Sequence, residues 1–151
     1  MKHIYDDGGS GTNKQRDCVV RAIAIATGKP YVEVRDEINY LADNVYFDGS
    51  DAKHGVHKQL YRDYLKSLGW TWTPTMNIGS GCKVHLRDDE LPKGKLIVLV
   101  SRHLVAVING VIHDTHDCSR GGMRCVYGYW RHVKAPSKKR KDRSTSAVNF
   151  N

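Results

Sequence analysis

Apolar positions recur at helical spacing through the first half of the chain and at strand spacing through the second. After Asp17, residues Val19, Ala22, Ile23 and Ala26 share one face of a 3.6-residue repeat. This predicts a helix capped by Asp17 and stopped by Gly28. Pro30 suits the first turn of a second helix, whose stripe is Tyr31, Val34, Ile38 and Leu41. A loop containing FDGSDAKHG follows, and then a third stripe of Val56, Leu60, Tyr64, Leu65 and Leu68 that ends at Gly69.

Beyond Gly69 the period shortens to two. WTWT reads as a short strand, NIGSGCK as a loop, and RDDELPKG as a turn ahead of the buried run KLIVLV. HLVAVI and VIHDT flank Asn109-Gly110, the strongest hairpin signal in the chain, and CVYGYW supplies a last strand. Helices first and strands second predict an α+β class, with N-terminal helices packed on a C-terminal antiparallel sheet. Residues 1–12, rich in Gly, Ser and Asp, read as a flexible arm, residues 13–133 as one domain, and residues 134–151 as a disordered tail.

Composition narrows the class. A chain of 151 residues with 40% hydrophobic positions buries a sizeable core in a single domain. No run approaches the roughly 18 apolar residues of a membrane span. The start, MKHIYDDGGSGTNK, lacks the apolar centre of a secretory signal, so the expected setting is the cytoplasm, without membrane contact. The four cysteines, Cys18, Cys82, Cys118 and Cys125, are then expected as free thiols.

Charge is uneven. Of 24 basic and 16 acidic residues, the run from Lys134 to Arg143 holds six basic and one acidic, leaving the remainder close to balance. Lys138, Lys139, Arg140, Lys141 and Arg143 are therefore the candidate contacts to nucleic-acid phosphates.

The stretch NKQRDCVVRAIAIATG places Cys18 at the mouth of the first helix. A thiol attacks as its thiolate, and both a helix N-terminus and a neighbouring imidazolium favour that form. His103 opens the strand HLVAVI and is the candidate imidazole. With the turn at 109–110, residue 108 faces 111 and residue 105 faces 114. Asp114 thus lies within diagonal cross-strand reach of His103 and is the candidate orienting group. His113, His116, Cys118 and Cys125 form a separate histidine–cysteine cluster whose spacing matches no zinc-finger pattern, so no metal or other cofactor is expected.

The order of Cys at a helix start, His at a strand start and Asp on the next strand resembles the papain-like cysteine peptidases. DC opening the helix and HLVAVINGVIHDT after it look most like the bacteriocin-processing peptidase domains of export transporters. DCVVRA near the start and YW near the end are similar to small phage and bacterial proteins of the same fold. The resemblance spans roughly residues 13 to 131. It implies Cys18 as nucleophile, His103 as general base and acid, and Asp114 as orienter. In that family a glutamine about six residues before the nucleophile helps hold the oxyanion. Thr12 occupies that position here, so Asn13 and Gln15 are the candidate amides.

Three functions stay open at this level. One is a thiol hydrolase, a cysteine peptidase or amidase acting on a peptide or protein, phage-encoded if the resemblance extends so far. A second is a papain-like binding protein with weak catalysis that uses its basic tail on nucleic acid or a host protein. A third is a zinc-stabilised interaction module.

Truncation after Lys134 should leave the thermal midpoint nearly unchanged, because a charged segment with few apolar residues contributes little burial. If the tail binds nucleic acid, the same truncation should weaken affinity and flatten its salt dependence by about five phosphates. An unchanged salt slope would move that binding to the body of the protein.

Overall fold

A computed structural model describes residues 1–133, so the candidate nucleic-acid contacts from Lys138 to Arg143 lie outside the described residues. The elements run β1 (Lys2–Tyr5), α1 (Cys18–Thr27), α2 (Tyr31–Leu41), a π-helical turn (Ala42–Tyr46), α3 (Lys58–Ser67), β2 (Trp70–Pro74), β3 (Lys95–Val100), β4 (His103–Ile108), β5 (Val111–Asp114) and β6 (Gly128–His132). The class is α+β. Six strands form one sheet in the order β1-β5-β4-β3-β6-β2.

The central strands carry the two-sided burial that their unbroken apolar runs imply. Ile97, Leu104 and Ala106 join the helix-side core, whereas Leu96, Val98, Val100, Val105 and Val107 pack on the opposite face with Leu86, Leu91, Cys118 and Val126. α1 is almost wholly buried, and its small residues Ala22, Ala24 and Ala26 suit close packing against the sheet. The hairpin has the expected register, with Ile108 opposite Val111. Asn109 and Gly110 both adopt positive φ, 49° and 79°, as a two-residue primed turn requires.

Two expectations are corrected. The first residues do not form a free arm: Lys2–Tyr5 pair in parallel with β5, which makes the sheet mixed rather than purely antiparallel. None of its four side chains is buried, and Ile4 and Tyr5 are exposed on the sheet edge, so apolar periodicity does not mark it. The following GGSG is also ordered. The Asp6 carboxylate accepts the Gly8 amide at 2.8 Å, and Asp7 accepts those of Gly9 and Gly11 at 2.9 and 3.1 Å. Second, only Cys18 and Cys118 are free among the four thiols, because a disulfide joins Cys82 to Cys125 across 43 positions. Pairing them depends on the 75–92 and 115–127 segments meeting over one face of the sheet, which no local pattern encodes. Smaller shifts affect element ends: α3 starts at Lys58, leaving Val56 outside it, and the last strand starts at Gly128.

β6 owes its fit to a missing side chain. A Cβ on Gly128 would lie 2.4 Å from two ring carbons of Trp72 and 2.7 Å from the Thr73 carbonyl oxygen. The carbonyl belongs to a paired strand and cannot swing away. Gly128→Ala should therefore cost about 1–3 kcal/mol as an overpacking defect, seen as a lower denaturant midpoint at unchanged slope. An unchanged midpoint would show that the Trp72 ring relocates freely.

Candidate active site

The site lies at the end of the sheet where β3 stops, β4 begins and β5 stops, with the N-terminus of α1 against it. Packing α1 on β4 brings Cys18 to His103 although 85 positions separate them in sequence. The half-buried Cys18 thiol faces the His103 ring and the Leu104 backbone amide, both of which act on its charge. On its other side the imidazole is anchored, with Nε2 2.6 Å from Asp114 Oδ2. The three residues singled out from the chain pattern therefore converge.

Asp114 is held from several directions. Its Oδ1 accepts the Thr115 amide at 2.7 Å and Arg21 Nη2 at 3.1 Å. Arg21, one turn along α1 from Cys18, also pairs with Asp17, and Asp17 Oδ2 accepts the Tyr31 hydroxyl at 2.6 Å. Asp17, Arg21 and Asp114 are all buried. Asp17 sits at the expected cap position yet makes no side-chain cap, because its carboxylate turns inward to Arg21 and Tyr31. The N-terminal segment closes over this network. The Asp6 amide donates to the Asp114 carbonyl at 3.0 Å, and Gly8 packs against the backbone of Arg21.

The electrostatics follow from the geometry. Burial by itself pushes the Cys18 thiol up, but the His103 hydrogen bond and charge, the Leu104 amide and the Arg21 charge outweigh it, and the net shift is down. Burial pushes His103 down, but the bond to Asp114 and the two thiols Cys118 and Cys18 carry it up to about 11. Burial likewise opposes the charge on Asp114, and His103, the Thr115 amide and Arg21 nevertheless hold its carboxyl below the ordinary value. The arrangement favours a thiolate–imidazolium pair at neutral pH.

A cavity of about 410 Å³ opens in front of the thiol, lined by Cys18, Val19, Tyr61, His103, Leu104 and Tyr127, with Arg16, Lys58 and Arg102 among the polar residues. Asn13 is exposed, and Gln15 turns toward Tyr31, its Oε1 3.5 Å from the hydroxyl; neither amide lines the cavity. His54, in the FDGSDAKHG loop, lines it as well. Arg21 was hidden from sequence reasoning because an arginine on an apolar helix reads as an outward side chain. The one signal was its i, i+4 spacing from Asp17.

His113, His116, Cys118 and Cys125 do not assemble into one cluster. His113 lies 3.4 Å from Asp6, and Cys125 is in the disulfide. Cys118 turns instead to His103, and His103, Asp114 and Cys118 are the one set of ligating atoms that gathers within 4.8 Å among the described residues. Comparison with family models, with curated proteins and with solved structures finds no match to this chain.

Removing the Arg21 charge leaves the buried Asp17 without its cation and Asp114 with His103 alone. Arg21→Met should destabilise the fold by about 3–5 kcal/mol near pH 7. Because the folded Asp114 carboxyl lies below its unfolded value, its ion pairs stabilise the fold above that unfolded value of about 4 and are lost as the pH falls through the folded one. The penalty should therefore shrink in denaturant titrations at pH 3. A penalty that stays constant with pH would assign it to lost packing of the arginine stem.

Proposed function

We propose that the protein is a thiol hydrolase that cleaves an amide or peptide bond through an acyl-enzyme on Cys18. The observation that carries this reading is the continuous chain of contacts from the Cys18 thiol through His103 to Asp114, opening on a cavity. A cysteine that served only to pack would gain nothing from an imidazole anchored on its far side. The papain-like resemblance of the motif order points to the same reaction class.

In this mechanism the Cys18 thiolate attacks the substrate carbonyl carbon, and its electron pair forms the C–S bond. The resulting oxyanion is met by the amides of Cys18 and Val19, which the helix leaves without intrahelical partners and which no side chain caps. Tyr61 lines the same cavity, and burial pushes its pKa up to about 12, so its protonated hydroxyl is a further candidate donor. Nε2 of His103 is engaged by Asp114, and Nδ1 is the nitrogen that gives its proton to the leaving amine as the C–N bond breaks. The neutral imidazole then takes a proton from water, and the hydroxide equivalent displaces the thiolate from the thioester. Acid is released, and the thiolate–imidazolium pair returns. Asp114 stays ionised throughout, and Arg21 and Asp17 act as positioning residues behind it.

A binding role without turnover is favoured by one observation: among the described residues, no asparagine or glutamine lines the cavity. The two readings separate in one assay. With p-nitrophenyl acetate, the hydrolase reading expects a burst of about one equivalent of nitrophenol and an acetyl group on Cys18 by mass spectrometry. His103→Ala should abolish the burst, Cys18→Ser should do the same with stability changed by no more than about 1 kcal/mol, and Asp114→Asn should retain more than His103→Ala. No burst from a folded wild-type protein would give the binding role its place.

Thiol reactivity supplies a second test. Iodoacetamide near pH 6 should label Cys18 ahead of the buried Cys118, while Cys82 and Cys125 label only after reduction. In His103→Ala the reactivity of Cys18 should rise only as the pH enters the ordinary thiol range, since the imidazolium that lowers its pKa is gone. Equal labelling of Cys18 and Cys118 in the wild type would assign Cys18 to packing.

A further inference from the structure

We infer that the substrate is an acidic polypeptide segment, with carboxylates on both sides of the bond that Cys18 attacks. This rests on the hydrolase reading and adds to it the charge of what the site takes. Two cavities meet at His103. The one in front of Cys18 presents Arg16, Lys58 and Arg102. The other, about 520 Å³, lies beyond His103 and presents Arg102, His116, Arg120 and Arg124. Arg102 and His103 line both, so the two recesses adjoin at these residues, with Cys18 in the first.

No carboxylate among the described residues lines either cavity. Among the described residues, none of Arg16, Lys58, Arg102, Arg120 and Arg124 makes an ion pair with Asp or Glu. His54, at the rim of the first cavity, differs, because Asp51 lies 3.1 Å from it. The buried carboxylates behind the site do not offset these cations, since Asp17 and Asp114 are already matched by Arg21 and His103.

Two details indicate a built surface rather than scattered charge. Arg102 occupies the β3–β4 turn at φ 57°, a left-handed conformation that non-glycine residues seldom adopt. Beneath that turn, Arg124 Nη2 donates to the Ser101 carbonyl at 2.5 Å, while its buried Nε has no partner. The turn is thus pinned by one guanidinium and displays another. Guanidinium groups match carboxylates in bidentate geometry, and unpaired cations in a recess attract anions strongly. A polypeptide fits better than a nucleic acid because the reacting group must be an acyl carbon. The two recesses also suit side chains on either side of one bond rather than a long phosphate track.

The test compares alkylation of Cys18 by anionic iodoacetate and neutral iodoacetamide, each normalised to free glutathione. The normalised ratio should exceed one by roughly tenfold at low salt and fall as salt is added. Arg102→Glu and Arg16→Glu should each bring it down several-fold while iodoacetamide still selects Cys18. A ratio near one with fast, selective iodoacetamide labelling would overturn the acidic-substrate inference and leave the hydrolase reading standing. Slow labelling by both reagents would instead overturn the hydrolase reading, and this inference with it.

A second arm uses the full chain carrying Cys18→Ala and fluorescent peptides in anisotropy titrations. A peptide with glutamates flanking a central amide should bind at least tenfold tighter than its glutamine counterpart, and Arg102→Glu together with Arg120→Glu should erase the difference. Both proteins keep the same basic tail, so the tail cancels from the comparison. An oligonucleotide that binds through Arg102 and Arg120 while the acidic peptide does not would overturn the assignment to polypeptide.

Discussion

The Arg21 guanidinium, buried between the carboxylates of Asp17 and Asp114, is the interaction on which the rest of the site depends. Burying three charges is expensive, and a well-packed apolar trio often does as well or better for stability alone. What the arrangement secures is direction. With one oxygen of Asp114 committed to Arg21 and the Thr115 amide, the other is left to His103, and the imidazole is held in a single orientation. The charges alternate from Asp17 to Arg21 to Asp114 to His103, so each pair lowers the cost of burying the next.

Covering this network is the work of the N-terminal residues. β1 extends the sheet beside β5, and the glycine-rich turn after it lies against the backbone of Arg21, where a side chain on Gly8 would crowd the helix. On the other face of the sheet the segments around the Cys82–Cys125 disulfide pack with Cys118 over the central strands. Cys118 thereby comes within 4.8 Å of the ligating atoms of His103 and Asp114. The imidazole is thus enclosed by an N-terminal segment far from it in sequence and by a nearer one that follows β5.

The location at a sheet end has a physical basis. Within the sheet, β3 and β4 are covered on both faces and leave no open space. At the end of these strands the backbone turns, the helix presents its uncapped first amides, and a cavity opens between them. Rigid elements therefore hold the thiol and the imidazole, while the walls carrying Arg16, His54 and Arg102 come from loops.

By itself the sequence determined what local spacing encodes. Apolar periodicity placed three helices and five of the six strands, Asn109-Gly110 set the hairpin register, and that register carried Asp114 to the neighbourhood of His103. The candidate residues Cys18, His103 and Asp114 were legible because each sits at an element boundary that the pattern locates. Tertiary structure alone decided the rest. β1 has four residues with its large apolar side chains exposed, so only its partner strand makes it a strand. Arg21 reads as a solvated charge until Asp17 and Asp114 close on it from two directions, and Cys82 and Cys125 read as separate thiols until distant loops meet. Asn13 and Gln15 had the right chemistry, but the chain between an extended arm and a helix start has no local rule for where an amide points. In each case the deciding contact joins residues far apart in sequence, and its energy exists only once the core has formed.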